Sequence, residues 1–207
     1  MDLVLLACSN RKQDGGVPDY AQSKQLAKGL SPESFGKLLN LRSKVVSGSE
    51  KNLPIGPDVG IPGDQATAQY LPAYQRYTGI VYDRGRIHEL YPGQTKIRLV
   101  IISALYGLLD GDDLIQSYDF TMKDKISGHC ANTWWKSHGL GKIVEEYIQS
   151  CDPGTVHDLL PIKYRNALSP WPSPSLYGLI IPYSYSRESM WEALNHRGED
   201  VERLLHS

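Results

Sequence analysis

Lys96-Ile97-Arg98-Leu99-Val100-Ile101-Ile102-Ser103-Ala104-Leu105-Tyr106-Gly107-Leu108-Leu109 is the stretch that decides the fold. Its first half is a nearly unbroken apolar, β-branched run, the pattern of a strand covered on both faces. The run stops at Ser103. An acidic segment, Asp110-Gly111-Asp112-Asp113, and a polar-aromatic one, Ser117-Tyr118-Asp119, follow. Ligand sites in open α/β sheets lie just beyond the carboxyl ends of the strands, so Ser103, Tyr106, Gly107 and Asp119 stand where function is expected. The competing reading is a tight turn with a solvated acidic tip.

Three further apolar runs share this character: Leu3-Val4-Leu5-Leu6-Ala7-Cys8, Thr155-Val156-His157-Asp158-Leu159-Leu160 and Leu176-Tyr177-Gly178-Leu179-Ile180-Ile181-Pro182. Helical patterns separate them. Ser31 and Pro32 open a helix over residues 32–46, on which Phe35, Leu38, Leu39, Arg42, Val45 and Val46 keep a helical period. Residues 66–77 read as a second helix. Residues 131–151 read as a third, bent at Gly139 and Gly141, with Trp134 and Trp135 facing the sheet. Ser184 or Ser186 caps a last helix that buries Met190, Trp191, Leu194, Val201, Leu204 and Leu205. Strands alternating with helices imply an α/β fold: a single domain over residues 1–207 with a mostly parallel central sheet flanked by helices. Residues 46–63, rich in Gly, Ser and Pro, form a long loop, a pattern of lids and partner-ordered segments.

The net charge of −1, from 22 basic and 23 acidic residues, gives no global positive field to draw the chain onto a nucleic-acid backbone, although a local basic cleft stays possible. Cys8, Cys130 and Cys151 form no C-x-x-C pair, which argues against a disulfide framework or structural zinc. Cys8, inside a strand, reads as an inert core thiol. The six histidines are scattered without an H-E-x-x-H pair, so neither a metal centre nor a cofactor is expected. The opening apolar run is too short, and wrongly flanked, for an export signal, and no segment has the length of a membrane helix. A cytoplasmic, reduced location is the expectation.

The residues beyond the strands then form a constellation. Ser9-Asn10-Arg11-Lys12 follows the first strand and Lys163 follows the third, at the same edge as Ser103 if the strands are parallel. Tyr74, Tyr77 and Tyr82, with Thr78 and Gly79, suggest a surface that stacks on a flat ligand, Gly79 letting backbone come close. They could equally be half-buried packing residues, and Arg11 and Lys12 a solvated loop pair. Without a G-x-G-x-x-G, a Walker motif or a G-x-S-x-G elbow, the hydroxyls, cations and one carboxylate suit a transition state stabilised by charge placement. Cleavage at an N-glycosidic bond is one such case. The candidate catalytic residues are Asp119, facing a cationic sugar, with Lys12 and Ser9. Arg11, Lys12 and Lys163 would hold phosphate or polarise the leaving base, and Tyr77 and Tyr82 would flank it. The expected partner is a small nucleobase-containing substrate.

Several segments resemble a known family in the order in which they occur. Ala73-Tyr74-Gln75-Arg76-Tyr77-Thr78-Gly79-Ile80-Val81-Tyr82 is similar to an A-x-x-x-Y/F-x-G-D-V-Y motif of the YaaA family of peroxide stress proteins. Ser103-Ala104-Leu105-Tyr106-Gly107-Leu108-Leu109 resembles its S-G-L-Y-G-L-L-R, and Asp113-Leu114-Ile115-Gln116-Ser117-Tyr118-Asp119 its D-L-x-Q-P-Y-R. Trp134 to Tyr147 is similar to its F-W-x-x-x-I-x-x-x-L helix, and Asp158 to Tyr164 to its N-L-A-S-x-E-Y. Cys8 to Lys12 and Tyr118-Asp119 also resemble related small bacterial proteins with a C-S-K-x-K opening and a P-Y-D segment. The resemblance implies a cytoplasmic α/β protein that limits oxidative DNA damage by binding DNA, with a base-directed activity as a further implication. Asp119 stands where the family carries Arg, and the near-zero charge shifts weight from DNA toward a small nucleobase-containing substrate.

Overall fold

The computed structural model describes residues 1–18, 20, 21, 24–63, 67–185 and 188–207. In chain order its strands are β1 (Asp2–Ala7), β2 (Leu71–Pro72), β3 (Ile97–Ser103), β4 (Gly107–Asp110), β5 (Leu114–Ile115), β6 (Lys125–Ile126), β7 (His129–Cys130), β8 (Val156–Asp158) and β9 (Ile180–Pro182). The α-helices are α1 (Lys24–Gly29), α2 (Pro32–Gly48), α3 (Ala73–Arg76), α4 (Ile80–Arg84), α5 (Ile87–Leu90), α6 (Ala131–Ser137), α7 (Leu140–Cys151), α8 (Ile162–Leu168) and α9 (Met190–Leu205).

The central sheet has the order β4-β3-β1-β8-β9. β1 is parallel to β3 on one side and β8 on the other, and β9 extends the parallel set. Leu3, Val4, Leu5 and Leu6 have no solvent exposure, as a strand in the middle of a doubly covered sheet requires. Each such side chain contributes about 1.5–3 kcal/mol of burial free energy. The fold class expected from the alternation of strands and helices is the observed one.

Several details differ from the sequence reading. The segment after β3 is not a solvated turn: Gly107, at φ +69°, reverses the chain into β4, which runs antiparallel along β3. Asp110 at its end is fully buried. Gly107 backs onto Trp135, whose ring would lie 2.8 Å from an added Cβ, so it is a packing glycine and not a ligand contact. The helix expected over 66–77 is shorter, because Leu71–Pro72 pairs with β5 and leaves only Ala73–Arg76 helical; Ala66 itself lies outside the described residues. The helix expected over 131–151 is two, divided at Gly139, whose φ of +79° no continuous right-handed helix contains. Trp134 and Trp135 are buried as expected.

α2 runs two residues past the expected end, and the long loop after it contains a 3-10 turn at Pro57–Val59 that buries Asp58. The last helix is capped by Ser189, which accepts from Glu192 N–H in a reciprocal capping box, and not by Ser184. Ser186 lies outside the described residues. Met190 and Trp191 are exposed, because they precede the stripe through Arg197, Val201 and Leu205 that faces the protein. Among the described residues no helix is long and apolar enough to cross a membrane.

Candidate functional site

The chain leaves β1 at Cys8, whose N–H still donates to the Ile102 carbonyl at 2.9 Å. The Ser9 hydroxyl then accepts from Arg11 N–H at 3.2 Å, a local side-chain turn that lifts the backbone off the sheet. Lys12 forms an antiparallel bridge with Tyr77, flanked by Thr78 N–H to Arg11 O (3.1 Å) and Gln13 N–H to Arg76 O (2.8 Å). This stitching brings Gly79 against Ser9, so close that a Cβ at residue 79 would fall on the Ser9 hydroxyl. The close approach expected at Gly79 is therefore to Ser9 in the first instance.

Beside this loop opens a cleft of about 520 Å³, bounded by residues 7–11, the first turns of α4, Pro161 and Tyr164 near α8, and α9. It lies at the carboxyl ends of β1 and β8. The chain passes from β1 to β3 on one side and from β8 to β9 on the other, so this is the topological switch point of the sheet. Ile80, Val81, Met190 and Leu194 give it apolar walls, and Ser9, Asn10, Arg11, Tyr164 and Arg197 supply the polar groups. Among the described residues no carboxylate is in that lining. Tyr82 forms part of the floor, 2% exposed, with its hydroxyl donating to the Ala7 carbonyl at 3.0 Å. Cys8 is buried with the core as expected, and its Sγ, 3.3 Å from the Tyr164 hydroxyl, also borders the cleft. Burial pushes the Tyr164 phenol well above its ordinary value.

On the β3 side of the same loop lies a second group. Ser103 Oγ, Tyr118 OH and Tyr77 OH form a buried chain with 2.8 Å at each link, and Tyr106 N–H donates to Ser103 Oγ at 3.1 Å. Desolvation raises both phenols of this chain well above the ordinary tyrosine value. The Lys12 ammonium sits 4.0 Å from the centre of the Tyr118 ring and donates to the Ser9 carbonyl at 2.9 Å. Burial lowers the Lys12 pKa, opposed by the carboxylate of Asp119 and assisted by Arg76 and Lys51. Asp119 itself is 89% exposed and pairs with Lys51 at 3.0 Å, and Lys51 also reaches Asp124 at 3.3 Å.

The sequence-derived constellation thus divides in two. Ser9, Asn10, Arg11, Gly79 and Tyr82 line the cleft. Lys12, Tyr77, Ser103, Tyr106 and Asp119 gather behind the loop around Tyr118. Tyr77 is fully buried, so its ring supports the loop and does not flank a ligand in this state. The Tyr106 hydroxyl donates to Asp58 Oδ2 at 2.6 Å and accepts Gln116 N–H at 3.1 Å, a structural role. Arg42 braces the same node through the carbonyls of Tyr106, Asp58 and Leu108. Thr78 serves through its backbone, and Lys163 is exposed on α8 beside the cleft residue Tyr164. Sequence reasoning did not assign Tyr118, Tyr164 or Arg197 to the site. Arg197 was traceable, because a cation between Leu194 and Val201 in an apolar helical stripe requires a reason. Among the described residues no cluster of three or more His, Cys, Asp or Glu could hold a metal ion.

Comparison with known proteins bears on the whole arrangement. A UPF0246 protein of Ruegeria sp. (strain TM1040) is 33% identical over 103 residues, 44% of this chain. The match spans about two-fifths, 41%, of that relative's length. The family model described as peroxide stress protein YaaA matches residues 9–184, which takes in the loop after β1, α3 and α4, the β3–β4 turn, Tyr118 and α8. The chain belongs to the family of peroxide stress protein YaaA.

Proposed function

We propose that this protein binds a small nucleobase-containing molecule in the cleft and acts on its N-glycosidic bond. The observation that carries the reading is the cleft's position: an apolar-walled cavity with a few polar groups, at the carboxyl ends of β1 and β8 where the strand order reverses. The apolar walls from α4 and α9 suit a flat base, and Ser9 and Asn10 offer hydrogen bonds at its edge. Lys12 is a positioning residue, holding the loop through the Ser9 carbonyl. Asp119, on the far side of the 9–12 loop from the cleft and paired there with Lys51, is the carboxylate assigned to the positive charge that develops on the sugar, a role that requires the loop to shift when the ligand binds. In hydrolysis a water oxygen bonds to the anomeric carbon. The base departs with the electron pair of the broken bond and takes up a proton.

Base release from a panel of nucleosides and nucleotides, followed by chromatography, tests the reading. Asp119→Asn should abolish release while leaving the circular dichroism spectrum unchanged. Turnover that survives this substitution refutes the catalytic assignment, and a panel without any bound member refutes the ligand class. A second reading is a non-catalytic DNA-binding role, for which the family description supports only the connection to peroxide stress. It requires DNA affinity that falls steeply with added salt, without base release.

A further inference from the structure

We propose that the cleft is built for an oxyanion and that the ligand is a phosphorylated one, a nucleotide in preference to a nucleoside, its phosphate held by Arg197. This rests on the cleft being the ligand site. Arg197 projects from the middle of α9 into the cleft lining and is 7% exposed. Its guanidinium lies 4.6 Å over the Tyr185 ring, which covers one face of the plane. Its Nε has no hydrogen-bond partner among the described residues. A buried donor left unpaired costs free energy, and folded proteins retain few of them without a functional reason.

The nearby carboxylates do not account for it. Asp158 is occupied by Arg165 at 2.9 Å and the Trp171 ring N–H at 3.0 Å. Glu188 has one oxygen on His196 at 3.0 Å, and its other, Oε2, is buried without a hydrogen-bond partner among the described residues, yet it makes no ion pair with Arg197. Among the described residues the charges that line the cleft are Arg11 and Arg197, with no acidic side chain in the lining, so the interior favours a negative guest. Arg11 is on the exposed rim and only loosely paired with Asp83, at 3.9 Å, so it can turn toward that guest. A guanidinium presents a fork of N–H donors matched to phosphate or carboxylate oxygens, and the apolar remainder of the walls calls for an uncharged body attached to the anion.

Titration calorimetry with adenosine monophosphate, adenosine, ribose 5-phosphate and inorganic phosphate tests the proposal on wild type, Arg197→Met and Arg197→Lys. The monophosphate should bind about tenfold or more tightly than adenosine, the difference a hydrogen-bonded charge makes. Arg197→Met should erase the difference, and Arg197→Lys should restore part of it. Should Arg197→Met fail to fold, Arg197→Lys carries the test of that side chain, and alkylation of Cys8 in wild type, read by peptide mass mapping, reports which ligands occupy the cleft. The monophosphate and ribose 5-phosphate should slow it, adenosine should not, and exposed Cys130 serves as the internal control. Adenosine binding as tightly as its monophosphate overturns the proposal and leaves the nucleobase reading standing. Ribose 5-phosphate binding as well as the nucleotide upholds the oxyanion site and removes the nucleobase. Binding of none of the four overturns both.

Discussion

Gly79→Ala is the most direct probe of how the site is assembled. Gly79 has φ −89° and ψ 174°, which alanine adopts freely, so any cost is steric. The added Cβ falls on the Ser9 hydroxyl, with Ser9 Cβ next at 3.2 Å. Relief requires the hydroxyl to rotate and give up its bond from Arg11 N–H, about 0.5–1.5 kcal/mol, with residual overpacking of about 1 kcal/mol. Against this, alanine restricts the unfolded chain and returns about 0.4–1 kcal/mol. The net expectation is a loss of about 1–2 kcal/mol, a fall in Tm of about 3–6 °C for a chain of this size. In a Ser9→Ala background the obstructing oxygen and its bond are already gone, so Gly79→Ala should be nearly neutral. A double-mutant cycle by urea denaturation would then show a coupling of about 1 kcal/mol or more, the two changes together costing less than their sum. Strict additivity, within about 0.5 kcal/mol, would refute the contact between residues 9 and 79 on which the cleft floor depends.

Two other outcomes follow from buried groups. Tyr106→Phe leaves Asp58 Oδ2 and the Gln116 N–H without their shared partner, and with Asp58 1% exposed the loss should be about 3 kcal/mol, read as a lower urea midpoint; an unchanged midpoint would sink the assignment of that hydroxyl to the node. Burial raises the Asp110 pKa, with Tyr147 OH at 2.7 Å and Arg98 only partly opposing it. The folded state therefore holds that proton more tightly than the unfolded one. Its contribution to stability is complete below the ordinary carboxylate range and is lost as pH rises through the raised folded value. Asp110→Asn should thus gain on wild type between acid and neutral pH, and a difference that is flat with pH contradicts this.

The parts of the fold that were legible were those in which neighbouring residues carry the whole pattern. The Leu3 to Leu6 run and the Leu99 to Ile102 run announce doubly covered strands because each residue in them is apolar. Ser31 and Pro32 mark the start of α2 by their own chemistry. What was not legible depends on distant partners. Leu71–Pro72 becomes a strand only because Leu114–Ile115 lies beside it, and Asp58 is buried only because Arg42, Tyr106 and Gln116 converge on it. The site shows the same division. That Ser9, Asn10 and Arg11 stand at a strand end could be read from the chain, whereas their separation from Ser103 and Asp119 by the width of the loop could not. Tyr77 illustrates why: tyrosines in a ligand wall and tyrosines in a core have the same local sequence, and only the packing of Tyr82 and Tyr118 around its ring decides between them.

The parallel pairing of β1 has a consequence for biosynthesis. Its partners are residues 97–102 and 156–158, so the strand finds its first neighbour only once residue 102 has been made and its second only after residue 158. Such non-local pairing is slow to form, and until it does the unpaired apolar run Leu3–Ala7 is open to intermolecular association. Newly made chains should lean on holding chaperones through that interval, and the 9–12 loop, hung from this strand, can take shape only when the last of these neighbours arrives.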